Sequence, residues 1–403
     1  MGSDRRGILA VAGSSIAISC PGVLIFSFPG VMGPSWQDMF DVGKGAIGNT
    51  LFFLLAAVGI FMFFVGQWQE KFGIRRMITI GAIITGLTGI TLAYAWSIYL
   101  VYLWAFLIGL GCSFIYIPAL TTVQRWYPER RGLVSGIVNV MFALSAAIMS
   151  PVFAHMLRVM GYFVMNIVVA VFTLVIGGVA AQFTESPERL KRVEPESEID
   201  EGSRRLSGAS VTVRESIRTN SFWFLWVTWA LQGAAGMSMV TLSVAFGLSI
   251  GLAIESAVVI LTVFNIMNGL SRLLMGYLSD VVGRSSTMSI AFFAAGFAYF
   301  VLPQVEGLAL TAVLVAIIGL AFGTLFAVSA PLAADCFGLE HFGAILGLVF
   351  TAYGFLSGAL GPSLSGYLLD ITEGNFTIVF TYLGVFCVLS GFLIRFVHPP
   401  QAD

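Results

Sequence analysis

Charge is scarce in this chain. Asp, Glu, Lys and Arg make up 10% of its 403 residues, hydrophobic residues make up 58%, and the mean hydropathy is +0.94. A soluble globular domain carries about a quarter charged residues, so water is not the solvent for most of this surface. A formal net charge of -1 removes the electrostatic case for nucleic acid. Cysteine is nearly absent too. Cys20, Cys112, Cys336 and Cys387 stand singly in or beside apolar segments, without CxxC or Cys/His spacing, which predicts packing roles, no metal and no cofactor. The three histidines, His155, His341 and His398, fall near segment ends. No Ser/His/Asp set, paired carboxylates or phosphate-binding loop occurs, which disfavours enzymes and ATP-driven pumps. A cleavable leader is not expected either, because the first apolar run outlasts an h-region and lacks a small-residue cleavage site.

Apolar length, by contrast, is abundant. Runs near the ~20 residues that cross a bilayer cover 7–31, 46–67, 77–95, 98–122, 132–156, 161–183, 221–247, 254–278, 285–303, 307–333, 343–367 and 375–398. The predicted fold class is therefore all-α, a polytopic membrane protein of twelve transmembrane helices. The one extended polar stretch, 184–220, reads as a linker between an N-terminal six-helix bundle, 1–183, and a C-terminal one, 221–403. The 45 glycines suit close helix approach in lipid. With the N-terminus inside, seventeen Arg and Lys fall on the cytoplasmic side and only Lys44 and Arg158 on the other, a strong positive-inside asymmetry. Both termini are expected in the cytoplasm. The short termini suggest a prokaryotic source, hence the cell's inner (plasma) membrane, with a monomeric transport unit.

An internal duplication is the most informative pattern. After span two the chain reads Gly66-Gln-Trp-Gln-Glu70-Lys71-Phe-Gly73-Ile-Arg75-Arg76, and after span eight Gly276-Tyr-Leu-Ser-Asp280-Val-Val-Gly283-Arg284. Gly66/Gly276, Glu70/Asp280 and Gly73/Gly283 are each 210 apart, and Gly136/Gly347 and Pro151/Pro362 each 211 apart. In such a loop the glycines permit a tight turn and close packing, the acid is placed to charge-pair with a neighbouring helix end, and the basic cluster suits anionic headgroups. These residues read as a gate latch. The doubled loop resembles motif A of the major facilitator superfamily, and the resemblance covers essentially the whole chain. It implies two six-helix bundles about an axis along the membrane normal, a central cavity and alternating access by rocking.

One charge lies inside the hydrocarbon: Arg272, in span eight, about 7–8 Å from the span's middle at 1.5 Å per residue. An intramembrane arginine costs at least ~2.5 kcal/mol and is a functional-site candidate by default. Asn265, Asn268 and Arg272, at i, i+3 and i+7, share one stripe of the helix. The acids nearest it, Glu255, Asp280 and Asp335, sit at span ends, and the position 210 residues earlier is Met62, so the charge is not part of the repeated scaffold. Exposed to a watery path, such a guanidinium is suited to grip a carboxylate bidentately. The competing reading is that it bonds a backbone carbonyl and braces helix packing. Weaker lining candidates are the hydroxyls of Tyr116 and Tyr353 and the amide of Asn139, each as readily explained by packing.

The span-eight string from Asn265 to Gly276 resembles the monocarboxylate transporters and their relative the oxalate–formate antiporter. So do Arg125-Trp-Tyr-Pro128-Glu-Arg-Arg-Gly132-Leu-Val-Ser-Gly136 and Phe222-Trp223. In that family the span-eight arginine binds the substrate carboxylate, which implies that role for Arg272. Two departures matter. Asn268 stands where animal proton-coupled members have Asp, and Gly30 where they have Lys after Phe28-Pro29. The oxalate carrier's second cation aligns with Tyr353, and one cation suits a monocarboxylate better than a dicarboxylate. The resulting expectation is transport of a lactate- or pyruvate-like anion together with H+. A dicarboxylate or other anion antiporter is the first alternative and a non-transporting anion sensor the second.

Overall fold

The structure, a computed structural model, describes residues 2–127, 131–184, 211–338 and 341–398, with side chains described in those ranges except at 2–4, 70, 131–133 and 342–343. Most of the expected linker, 185–210, and Pro128, Glu129 and Arg130 of the span-four motif lie outside these residues. Among the described residues the regular elements are helical, and eleven helices are long and apolar enough to cross a membrane. One of them, Val134–Gln182, is two helices in series. Gly161, at φ 73° and ψ 172°, breaks it into α6 (131–160) and α7 (162–182), which brings the spans to twelve.

Span one is α1 (Gly2–Phe26) and α2 (Phe28–Phe40), offset at Ser27. Pro29 opens α2, where a missing N–H costs nothing, and Asp41, at φ 50°, ends it. This span runs well past the expected end at 31. Ser35, Gln37 and Asp38 stay helical beyond the apolar slab, where hydropathy alone cannot follow them. Spans two to four are α3 (Lys44–Phe72), α4 (Ile74–Ala93) and α5 (Ile98–Trp126). The described end of the expected linker holds a short helix, α8 (Val213–Ser216), set by a capping box: the Thr212 hydroxyl accepts the Glu215 N–H, and the Glu215 carboxylate accepts the Thr212 N–H.

Spans seven to ten are α9 (Asn220–Ser249), α10 (Ile254–Val282), α11 (Arg284–Val301) and α12 (Leu308–Phe337). Span eleven departs from regularity. It starts as α13 (Phe342–Thr351), widens into π-helical turns at Ala352–Ser357 and Ala359–Ser363, and resumes as α14 (Leu364–Ile371). Pro362 lacks an N–H and its ring would strike a carbonyl of a regular α-turn, which the wider coil avoids. Span twelve is α15 (Phe376–Leu393), capped by Asn375, whose side-chain oxygen accepts the Thr377 N–H.

The helices form two bundles. In the first, α1 packs on α5 and on α6–α7, α3 on α5, and α4 on α5 and α7. In the second, α10 packs on α12 and α9, and α11 and α9 on α15. They join where α6 meets α10, where α3 meets span eleven and where α2 meets α9. The second seam relies on missing side chains. A Cβ at Gly48 would lie 2.0 Å from the Pro362 carbonyl oxygen, and one at Gly366 2.2 Å from that of Lys44. This seam holds α3 against span eleven at the end of the molecule opposite the duplicated loops, here the far end; a cavity of about 540 Å³ opens at the loop end and one of about 520 Å³ at the far end.

Candidate functional site

Arg272 projects from α10 into the seam with α6 and is 4% exposed. Its Nη1 donates to the Asn139 backbone oxygen at 3.3 Å and to Asn139 Oδ1 at 3.4 Å, and its Nη2 to Asn268 Oδ1 at 3.4 Å. Its Nε has no acceptor within the described residues. The guanidinium carbon stands 4.5 Å from the centroid of Phe326 and 5.8 Å from that of Phe142, distances at which an aromatic face attracts a cation. These hydrogen bonds are long by the usual 2.7–3.2 Å standard, so much of the five-donor fork is weakly used. The acids at the span ends are committed elsewhere: Glu255 to Arg158 at 2.7 Å, and Asp280 and Asp335 to Arg284.

A cavity of about 540 Å³ opens between the bundles toward the loop end. Its walls include Met62 and Gln67 of α3, Tyr116 and Gln124 of α5, Asn139 of α6, Trp229 of α9, Phe326 of α12 and Phe350 of α13. Arg272 is not among the lining residues. The expectation of a guanidinium exposed to a watery path is therefore corrected: it lies one layer behind the wall, screened by Asn139, Tyr116 and Phe326, all of which touch both the cavity and the Arg272 cluster. The competing reading's contact, a backbone carbonyl, is present as well, that of Asn139.

The structure brings Asn139, Tyr116 and Asn268 to Arg272 and leaves two candidates outside its contacts. Tyr116 OH donates to Asn139 Oδ1 at 2.7 Å, a bond between α5 and α6 that aims the amide oxygen. Asn265 instead donates to the Phe26 carbonyl at 2.9 Å and stays fully buried. Tyr353 lies among the rings of Trp229, Phe326 and Phe350, with its hydroxyl on Met237 Sδ at 3.0 Å, beside a small apolar void rather than the main cavity. Sequence reasoning missed the aromatic box of Phe142, Trp229, Phe326 and Phe350. In helices apolar on every side, nothing separates a ring facing the centre from one facing lipid.

The profile of the Major Facilitator Superfamily matches residues 7–267 and 234–403. The chain belongs to the Major Facilitator Superfamily. Among its relatives is the oxalate:formate antiporter of Oxalobacter formigenes, 25% identical, with 83% of this chain and 78% of the relative covered. Monocarboxylate transporter 10 of Homo sapiens is 23% identical over 93% of this chain and 73% of the relative. An uncharacterized transporter of this type from Escherichia coli, YhjX, is 25% identical over 72% of this chain and 71% of that one. A solved structure of a bacterial homolog of the human lysosomal transporter Spinster superposes with TM-score 0.68 at 12% identity, covering 98% of this chain and 95% of the other, and shows the same fold.

In this facilitator the two repeated loops are built alike. Gly73 and Gly283 hold φ of 86° and 100°, conformations closed to most L side chains, and join α3 to α4 and α10 to α11 within one residue. The other paired glycines behave differently from expectation. A Cβ at Gly66 or Gly276 meets nothing within 4 Å, so these positions do not serve close packing here, and Gly66 instead lines the cavity. The acid of the second loop pairs as expected with a neighbouring helix end: Asp280, in the last turn of α10, meets Arg284, the first residue of α11, at 3.3 Å, and Arg284 also bridges to Asp335 at the end of α12. In the first loop Arg75 forks onto Gln182 Oε1 at 2.6 and 3.0 Å, while Lys71 and Arg76 are exposed. The Glu70 side chain lies outside those described.

Proposed function

We propose that this chain is a secondary transporter of small monocarboxylates, lactate- or pyruvate-like, working by alternating access with proton symport, and that Arg272 grips the cargo carboxylate. The observation that carries the reading is a buried guanidinium with no acidic partner among the described residues, backing onto a cavity between the two bundles. A carboxylate at 2.7–2.9 Å makes stronger, charge-assisted bonds than the neutral oxygens at 3.3–3.4 Å that the fork meets within the chain. Reaching Arg272 requires Asn139 and Tyr116 to yield, a side-chain motion at the cavity wall. The relatives named for oxalate, formate and monocarboxylates support the same cargo class. Tyr353, where the resemblance puts the oxalate carrier's second cation, carries no charge and stands among Trp229, Phe326 and Phe350, which favours one carboxylate over two. The positive-inside count supports a cytoplasmic orientation for the cavity's mouth and for both termini.

Uptake of radiolabelled lactate into proteoliposomes under an imposed pH gradient tests this. Wild type is expected to accumulate lactate faster as the external pH falls. Arg272→Ala is expected to lose about 2–5 kcal/mol of cargo binding, roughly thirtyfold or more in the ratio of rate to KM. Arg272→Lys, which keeps the charge but not the planar fork, is expected to fall between them. Undiminished uptake by Arg272→Ala removes the assignment of Arg272. Indifference to external pH removes proton symport, and faster counterflow with oxalate than with lactate selects the antiporter reading, which the Oxalobacter formigenes relative favours.

A further inference from the structure

The contacts of Arg272 are divided between the bundles. Asn268 lies on its own helix, but Asn139 and Phe142 belong to α6 of the other bundle, and the two Asn139 contacts are the hydrogen bonds that Arg272 makes across the seam. Asn139 Oδ1 is fixed from behind by the Tyr116 hydroxyl at 2.7 Å and faces the guanidinium at 3.4 Å, while the residue itself lines the cavity. A carboxylate arriving from the cavity therefore meets Asn139 first and displaces the same kind of acceptor that it brings, an sp² oxygen with two lone pairs. These are contacts the chain makes with itself, available to the carrier when no cargo is bound.

Resting on the assignment of Arg272 to the cargo, we propose that Asn139 is a built-in surrogate for the cargo carboxylate, the positioning residue that lets the unloaded carrier reorient and so makes this protein a net transporter rather than an obligatory exchanger. A buried cation with nothing to bond across the seam resists closure of the two bundles around it. The backbone oxygen of residue 139 crosses the seam with any side chain, and Asn139 Oδ1 adds a second acceptor there whether cargo is present or not. The surrogate is suited to yielding. It is neutral, its bonds to the fork are long, and it competes poorly with a charged carboxylate. A fixed acid at the same position would instead hold the fork against cargo.

The test compares two fluxes of radiolabelled lactate in proteoliposomes: zero-trans net uptake, in which the carrier returns empty, and counterflow, in which it returns loaded. Wild type is expected to show net uptake at a rate comparable to counterflow. In Asn139→Leu the ratio of net uptake to counterflow is expected to fall tenfold or more, because the empty return loses the side-chain acceptor and keeps only the long bond to the residue's backbone oxygen. Asn139→Asp is expected to raise the lactate KM at least tenfold in both fluxes. A wild type that only exchanges overturns the proposal. So does an Asn139→Leu variant in which the two fluxes fall in parallel, as a folding or packing defect would produce, or in which neither changes. An unaltered KM in Asn139→Asp overturns it as well. Each of these outcomes is distinct from failure of the cargo assignment, which shows as lactate uptake that survives Arg272→Ala.

Discussion

At the scale of single residues, what stabilises Arg272 in hydrocarbon is shared among weak partners. Three long hydrogen bonds and two ring faces stand where a carboxylate would ordinarily be. Phe326, at 4.5 Å, is the nearer ring, and such a contact is worth about 0.5–2 kcal/mol. Phe326→Leu keeps the apolar volume and removes the ring face, so the lactate KM is expected to rise roughly two- to thirtyfold. Phe326→Trp, with the stronger ring face, should hold it near wild type. Equal KM in both variants, measured by initial uptake rates, would contradict the stacking argument. The arginine was legible in the sequence because a lone charge in an apolar span has few explanations, and Asn268 because it shares the helix stripe. The Asn139 contact, made across 133 residues between two helices, was not legible. Helical periodicity fixes which residues share a face but not which face of which other helix comes to meet it.

Among the elements, the loop turns at Gly73 and Gly283 were legible from the duplicated motif, and the gap between spans five and six from the end of an apolar run. The seat of that gap at Gly161 was not, since a positive φ favours glycine while most glycines do not adopt one. Nor were the π-turns of span eleven. Gly354, Gly358, Gly361 and Pro362 look the same in sequence whether they loosen a helix or let its neighbour approach, and here they do both. Helix α8 was missed because its four residues carry no apolar period, and only the Thr212/Glu215 box marks it. The Glu215 carboxyl is held below its ordinary range by hydrogen bonds from the Thr212 hydroxyl and the Thr212 N–H. A carboxylate with a lowered folded-state pKa contributes stability above its unfolded pKa and loses it as pH falls through the folded value. Amide-exchange protection at Glu215 and Ser216 is therefore expected to be full near neutrality, to decline in acid below the ordinary Glu range, and to be low at every pH in Thr212→Ala. A pH-independent protection profile in wild type would rule out the box as the source of order.

For the whole molecule, the two ends are held by different means, and the difference sets what has to break during transport. At the far end the Asp370 carboxylate, on α14 of one bundle, accepts the backbone N–H groups of Lys44 and Gly45, at 2.7 and 2.8 Å, and so caps α3 of the other. Asn49 donates to Tyr367 OH at 2.8 Å beside it, and Arg158 pairs with Glu255 at 2.7 Å across the α6–α10 seam. These exposed or half-buried polar ties are individually weak, as a gate that opens every cycle needs them to be. The Asp370 cap is the strongest candidate among them, because it satisfies two N–H groups at a helix N-terminus with a negative charge. Its loss in Asp370→Ala is expected to cost about 1 kcal/mol, roughly a fivefold shift toward the conformer open at the far end. Ser35, which lines a separate cavity of about 520 Å³ at that end, offers the reporter. A Ser35→Cys thiol is expected to react with a membrane-impermeant maleimide about fivefold faster in the Asp370→Ala background, with the four native cysteines buried and slow. Asp370→Asn should fall between, since the amide oxygen accepts one N–H without the charge. Equal labelling in all three backgrounds would mean that the Asp370 cap does not set far-end closure, and would turn the test to the glycine seam, where Gly48 meets Pro362 and Gly366 meets Lys44. In that case Gly48→Leu, not Asp370→Ala, becomes the substitution expected to hold it open.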